Sequence, residues 1–122
     1  MTGRKKDLII VAGRNLYPHD IEEAVGELSG IKPGRAVAFG VFDEVVATER
    51  AVVLAEVTMP RDDAAGVARL GAAIRALVQA RFGVTLADVR LFHDPVLHKS
   101  TSGKLSRARN RAYYESELLE KA

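Results

Sequence analysis

Apolar residues recur at helical spacing from Val67 through Leu70, Ile74, Leu77 and Val78 to Phe82, while Arg69, Arg75 and Gln79 take the other side. The stripe is opened by Met59-Pro-Arg-Asp-Asp63 and closed by Gly83, which predicts one long amphipathic helix with a face that must be buried. That face needs a partner layer. Arg35–Val41 and Arg50–Val57 are both rich in Val, Ala and Phe and read as strands, with a loop over 42–49 that carries three acids. Strands joined by one such loop pair most simply antiparallel. Helices laid on a small sheet make an α+β domain.

The remaining elements fit this frame. Leu8-Ile-Ile-Val11 reads as a short strand, Gly13 as its break and Arg14-Asn-Leu-Tyr17 as the return of a small hairpin. Pro18 suits the first turn of a helix, Asp20, Glu22 and Glu23 favour its N-terminus, and Ile21, Val25 and Leu28 form one stripe ending near Gly30. Ile31-Lys-Pro-Gly34 reads as a turn and Val89-Arg-Leu-Phe92 as a further strand. After a loop over 95–103, Leu105–Arg107 reads as a brief strand. A helix follows over Ala108–Glu120, with Tyr114, Leu118 and Tyr113 facing inward. The expectation is a single domain over 1–122, an N-terminal β-hairpin followed by a mainly antiparallel three-stranded sheet packed with helices.

Composition excludes several classes. With 48% hydrophobic and 28% charged residues the chain is ordinary globular material rather than disordered. No apolar window is long enough for a membrane span and no signal-peptide core is present, so a soluble cytoplasmic protein is expected. Without cysteine there is no disulfide, thiol nucleophile or thiolate metal site. His19, His93 and His98 do not stand at metal-ligand spacing. Net charge is only +2, but Lys99, Lys104, Arg107, Arg109 and Arg111 follow one another with no acid between His98 and Arg111. Arg4, Lys5, Lys6 and Arg14 form a second basic group. Both could meet phosphates, whether of a nucleotide or of nucleic acid.

The stretch with most chemical content is His98-Lys-Ser-Thr-Ser-Gly-Lys-Leu-Ser-Arg107. Hydroxylated residues lead to Gly103, whose backbone can approach a ligand closely, and then to Lys104, a compact point charge on a long stem. Such a cation can stabilise charge developing on phosphate or carboxylate oxygen. A phosphate loop of the G-x-x-x-x-G-K-[ST] type is excluded, because position 98 is His and Leu105 stands where the magnesium-binding hydroxyl belongs. Ser-Gly-Lys also occurs in ordinary surface turns.

The two ends together are more specific. Gly3-Arg-Lys-Lys-Asp-Leu-Ile-Ile-Val-Ala-Gly-Arg-Asn-Leu-Tyr-Pro-His-Asp-Ile-Glu22 resembles a signature segment of the adenylate-forming enzymes. That superfamily comprises acyl-CoA synthetases, nonribosomal peptide synthetase adenylation domains and firefly luciferase. Lys99-Ser-Thr-Ser-Gly-Lys-Leu-Ser-Arg107 is similar to the P-K-T-x-S-G-K-[IL]-x-R motif of the same superfamily. The order and spacing match its small C-terminal domain over essentially the whole chain, and Gly13-Arg-Asn with Tyr17-Pro-x-Asp-Ile-Glu is most similar to fatty acyl-AMP ligases and their close acyl-CoA synthetase relatives. His98 departs from the usual proline and Ser100 from the usual threonine. The histidine restores an N–H and frees φ, and neither change touches Lys104.

The resemblance implies that a carboxylic acid attacks the α-phosphate of Mg-ATP to give an acyl-adenylate and pyrophosphate. The acyl group then passes to a thiol of CoA or of a carrier-protein phosphopantetheine, the small domain presenting a different face in each half. It implies Lys104 as the adenylation lysine, with Lys99, Ser102 and Gly103 in its supporting loop. Lys6 falls at the hinge, Arg4 at the nucleotide ribose, and Gly13, flanked by Arg14 and Asn15, at the tip facing the thiol tunnel. ATP and Mg2+ would be bound mainly by a large N-terminal domain that these residues do not contain. Partners would be that domain, a fatty acid and an acidic acyl carrier protein. Met1-Thr2-Gly3 opening directly on the motif suggests an excised segment, inactive alone. The competing reading is a non-catalytic basic module that docks an acidic carrier or nucleic acid. The basic arm lacks the interleaved aromatics for stacking on single strands and matches no helix-turn-helix or zinc module, which argues against nucleic acid.

Overall fold

The computed structural model describes residues 9–11, 13–45, 47–93, 97 and 107–118. A two-stranded hairpin, β1 (Ile9–Val11) and β2 (Arg14–Leu16), leads into α1 (Pro18–Gly26). A three-stranded sheet follows in the order β3 (Ile31–Asp43), β4 (Thr48–Val57) and β5 (Asp88–Phe92), with α2 (Ala64–Phe82) between the last two strands. The described chain closes with α3 (Arg107–Tyr113), which continues as a π-helical turn over Tyr114–Leu118. The α+β class, the hairpin and the three-stranded sheet are those expected.

Strand β4 lies at the centre, antiparallel to β3 and parallel to β5. The parallel pair needs a long crossover, which α2 supplies. Alternation along the strands sorts side chains onto two faces. On one face Ala38, Ala51, Val53, Ala55 and Val57 form the main core with Ile21 and Val25 of α1 and Leu70, Ile74 and Val78 of α2. Alanines on this face let the helices lie close. Ile9 and Leu16 of the hairpin belong to the same core. At Gly40 an added Cβ would stand 3.0 Å from Ile9 Cγ2 and 3.1 Å from Glu49 Cδ, so a side chain there would crowd both hairpin and sheet. On the opposite face Val37, Phe39, Val52 and Leu54 pack with Leu97 and Tyr114. The central strand is therefore buried on both sides.

Helix α2 begins and ends where its residues demand. The Asp63 side chain accepts the Gly66 N–H at 3.0 Å, and Gly83 adopts φ 73° as its left-handed cap. Four boundaries differ from expectation. Residues 31–34 are not a turn but the start of β3, with a register irregularity between Ile31 and Ala36. The break accommodates Pro33, which has no N–H for the ladder. The loop expected over 42–49 shrinks to 44–47, because Phe42 pairs with Glu49 and Asp43 with Thr48. Helix α1 stops at Gly26 rather than near Gly30. Arg107 opens α3 instead of closing a strand, while Leu105 and Ser106 lie outside the described residues. Tyr114 is buried and Tyr113 half-buried, and the Leu118 side chain and residues 119–120 lie outside the description.

Tyr114 joins α3 to the sheet. Its ring lies 5.7 Å from that of Phe39, and its hydroxyl donates to Asp88 Oδ2 at 3.0 Å. The same oxygen accepts from Arg90 Nε at 2.8 Å. Burial, followed by the hydrogen bond to Asp88 and the charge of Asp88, pushes the phenol up to about 12, with Arg90 opposing. A raised folded-state value means that this contribution to stability is complete below the usual tyrosine value near 10 and is lost as pH rises toward 12.

Two outcomes follow. Asp63→Ala should lower stability by about 1 kcal/mol in thermal unfolding through loss of the α2 cap. Tyr114→Phe should cost roughly 1 kcal/mol near pH 8 in urea unfolding, and its deficit against wild type should shrink through the alkaline limb above pH ~10.

Candidate functional site

The expected site residues fall into two groups. Arg4, Lys6, Lys99, Ser102, Gly103 and Lys104 lie outside the described residues. Gly13, Arg14 and Asn15 lie at the hairpin, where Val11 pairs with Arg14 and Ile10 with Asn15. Gly13 has φ 84° and an added Cβ would meet nothing within 4 Å. Turn geometry, not crowding, therefore selects glycine at this exposed tip.

The hairpin is fastened to the sheet by side chains from the end of β4. Ile10 N–H donates to Glu49 Oε1 at 2.9 Å, and Thr48 Oγ1 donates to the Ile10 carbonyl at 3.2 Å. From α1, Glu22 Oε2 accepts the Ala38 N–H at 2.9 Å. Two acids of the acidic stretches thus serve backbone donors. The tip carrying Gly13 and Asn15 stays exposed while Ile9 and Leu16 hold its base in the main core.

On the other face, the structure describes what stands on either side of residues 98–106. Leu97, immediately before them, is buried against Val37, Phe39, Val52, Leu54 and Tyr114. Helix α3, immediately after them, is seated by buried Asn110 and Tyr114. Both flanks of the Lys104 stretch are therefore anchored on one face of the sheet. The hairpin is built on the opposite face.

Glu56 belongs to this second face and was not singled out from sequence. It is 0% exposed. Its Oε2 accepts the Leu97 N–H at 3.2 Å, and its Oε1 lies 3.1 Å from Arg35 Nε without hydrogen-bonding alignment. The available signal was a lone acid in the otherwise apolar run Ala51-Val-Val-Leu-Ala-Glu-Val57. Asp88 and Arg90, which hold Tyr114, likewise carried no motif.

Among the described residues no group of three or more His, Asp or Glu is placed to hold a metal ion. A shallow depression lined by Asp20, Glu23, Ala24, Glu27, Arg81 and Phe82 is open and mostly acidic, the wrong charge for a nucleotide. No described helix is long and apolar enough to cross a membrane. What the described residues offer is two separate surfaces, a hairpin tip built on one face and, on the other, the anchored flanks of residues 98–106.

No family model matches the chain. It is 36% identical over 117 residues to the nonribosomal peptide synthetase pngA of Aspergillus terreus, spanning 94% of this chain and 12% of that protein. It is 38% identical over 125 residues to the probable long-chain-fatty-acid–AMP ligase FadD30 of Mycobacterium tuberculosis, spanning 99% of this chain and 20% of that protein. A solved structure from work on the fatty acyl-adenylate ligases of E. coli and L. pneumophila superimposes with a TM-score of 0.80 at 32% identity, over 98% of this chain and 20% of that one. The chain thus spans a fifth or less of the length of the curated relatives it matches here. The chain is thus similar, over nearly its whole length, to part of adenylate-forming enzymes of two kinds, a nonribosomal peptide synthetase and a fatty acyl-AMP ligase.

Proposed function

We propose that the chain is the mobile C-terminal domain of a fatty acyl-AMP ligase or long-chain acyl-CoA synthetase. In the first half-reaction a fatty acid carboxylate oxygen attacks the α-phosphorus of ATP. The bond to the bridging oxygen breaks and pyrophosphate leaves with its electron pair. Lys104 lies between carboxylate and α-phosphate oxygens, offsetting their repulsion and the charge that develops as the new bond forms. Lys99, Ser102 and Gly103 hold its loop, and Arg4 reaches the ribose. In the second half-reaction a thiol of CoA or carrier phosphopantetheine attacks the acyl carbon. The bond to AMP breaks, and the thiol proton is released as the thioester forms. Here the domain turns about Lys6 and presents Gly13, flanked by Arg14 and Asn15.

Magnesium would be held with the nucleotide by the large domain, where it would neutralise phosphate charge. No ligand to it is assigned among the described residues of this chain. The observation that supports the reading is the division of labour between the two sheet faces. The hairpin packs with the main core, whereas Leu97 and Tyr114, flanking the lysine stretch, pack on the reverse. A domain that serves two chemical steps by rotation needs two such faces.

The test measures acyl-adenylate formation from ATP and a panel of fatty acids, by the chain alone and by the full ligase. Activity is expected in the full ligase only, and Lys104→Ala should reduce it by a factor of about 10² or more. Transfer from supplied acyl-adenylate to the thiol should persist in that variant. Undiminished adenylation without Lys104 would overturn the reading and direct attention to the basic arm as a docking surface.

A further inference from the structure

Glu56 is the only fully buried charged side chain among the described residues. It follows Val52 and Leu54 along β4 at alternate positions, on the face that receives Leu97 and Tyr114. Taking a carboxylate out of water is costly, and replacement of a whole buried ion pair by well-packed apolar residues is often neutral or stabilising. The compensation here is thin. One oxygen accepts a single backbone N–H, the other faces Arg35 off the hydrogen-bonding axis, and Arg35 Nη1 is itself buried without a partner. Leucine at this position, with an apolar residue at 35, would extend the apolar row of Val52 and Leu54. Stability therefore does not account for the acid.

What glutamate does that leucine cannot is grip the backbone of residue 97, 41 residues away in sequence. Leu97 is the last described residue before 98–106, the stretch that carries Lys104. The register irregularity in β3 brings Arg35 to the same carboxylate, so three chain segments meet at one side chain. At the far end of the stretch, Tyr114 and its bond to Asp88 seat α3 on the same face.

We propose that Glu56 is a positioning residue for Lys104, acting through the Leu97 N–H to set where the lysine stretch leaves the sheet. The inference rests on the reading of Lys104 given above. Positioning matters because displacement of a reacting group by about 1 Å can cost a factor of about 10². The carboxylate touches no substrate, and its influence is confined to the half-reaction that uses Lys104.

The experiment uses the full ligase with Glu56→Leu, Glu56→Gln, the double variant Arg35→Met/Glu56→Leu and Lys104→Ala. Melting temperature, kcat and KM for ATP in adenylation, and the rate of thiol transfer from supplied acyl-adenylate are read for each. Glu56→Leu, which leaves the Arg35 charge and the Leu97 N–H without their partner, should melt at a lower temperature, but while folded it should keep its KM for ATP, lose about tenfold or more in adenylation kcat, and transfer to thiol within about twofold of wild type. Glu56→Gln, whose amide oxygen still accepts the Leu97 N–H, should recover most of the adenylation rate. If Glu56→Leu does not fold, the double variant, which removes both charges, is read by the same criteria. Equal losses in both half-reactions would overturn the proposal in favour of a purely structural role. So would unchanged adenylation in Glu56→Leu beside an inactive Lys104→Ala. An active Lys104→Ala would instead overturn the reading of the lysine itself, and this inference with it.

Discussion

The structure depends on burying β4 from both sides. From Ala51 to Val57 every side chain of the strand is out of water, alternate residues facing α1 and α2 or facing Leu97 and Tyr114. A two-helix layer would suffice to cover one face of so small a sheet. The second face is covered instead by Leu97 and Tyr114, on either side of residues 98–106, so covering the core and seating both flanks of that segment are the same packing event. In a chain of 122 residues little apolar surface can be spared, and linking the two tasks makes one set of contacts serve both.

The same arrangement explains why the hairpin and the lysine stretch need not compete for space. The hairpin is held by Ile9 and Leu16 in the main core and by Glu49 and Thr48 at its backbone. The other face uses Leu97, Tyr114, Asp88 and Glu56. Attachment on opposite sides of one sheet lets the hairpin and the flanks of residues 98–106 each be held without displacing the other.

Much of this was legible because it rests on local pattern. The stripe from Val67 to Phe82, with Asp63 and Gly83 at its ends, predicted α2 to within a residue or so. Pro18 and the hairpin glycine likewise marked what they marked for local reasons. The misses arose where tertiary pairing overrode local preference. Pro33-Gly34 signals a turn by composition, but pairing of Ile31 with Val57 absorbs it into β3 as an irregularity. The acids at 43 and 49 suggested loop, whereas the ladder continues to Asp43 opposite Thr48. Parallel attachment of β5 has no local signature at all. Of the site, the motifs name Lys104 and Gly13 by resemblance, but Glu56 could be understood only once Leu97 was seen beside it. Its partner lies far along the chain, and no spacing rule connects the two.

The parallel pairing of β5 has a consequence for the order of assembly. Strands β3 and β4 are joined by a short turn and can zip locally, whereas β5 reaches β4 only after the whole of residues 58–87 has been closed into a crossover. Contacts across such separations form late, because the chain entropy lost in closing the loop precedes their reward. Asp88, which receives Tyr114, sits on that late strand. The seat of Tyr114 is thus completed after β3 and β4 have paired, and local opening at β5 would release it first. The hairpin and the β3–β4 ladder can in this way stay paired while the seat of Tyr114 comes and goes, an asymmetry written into the connectivity rather than into any single contact.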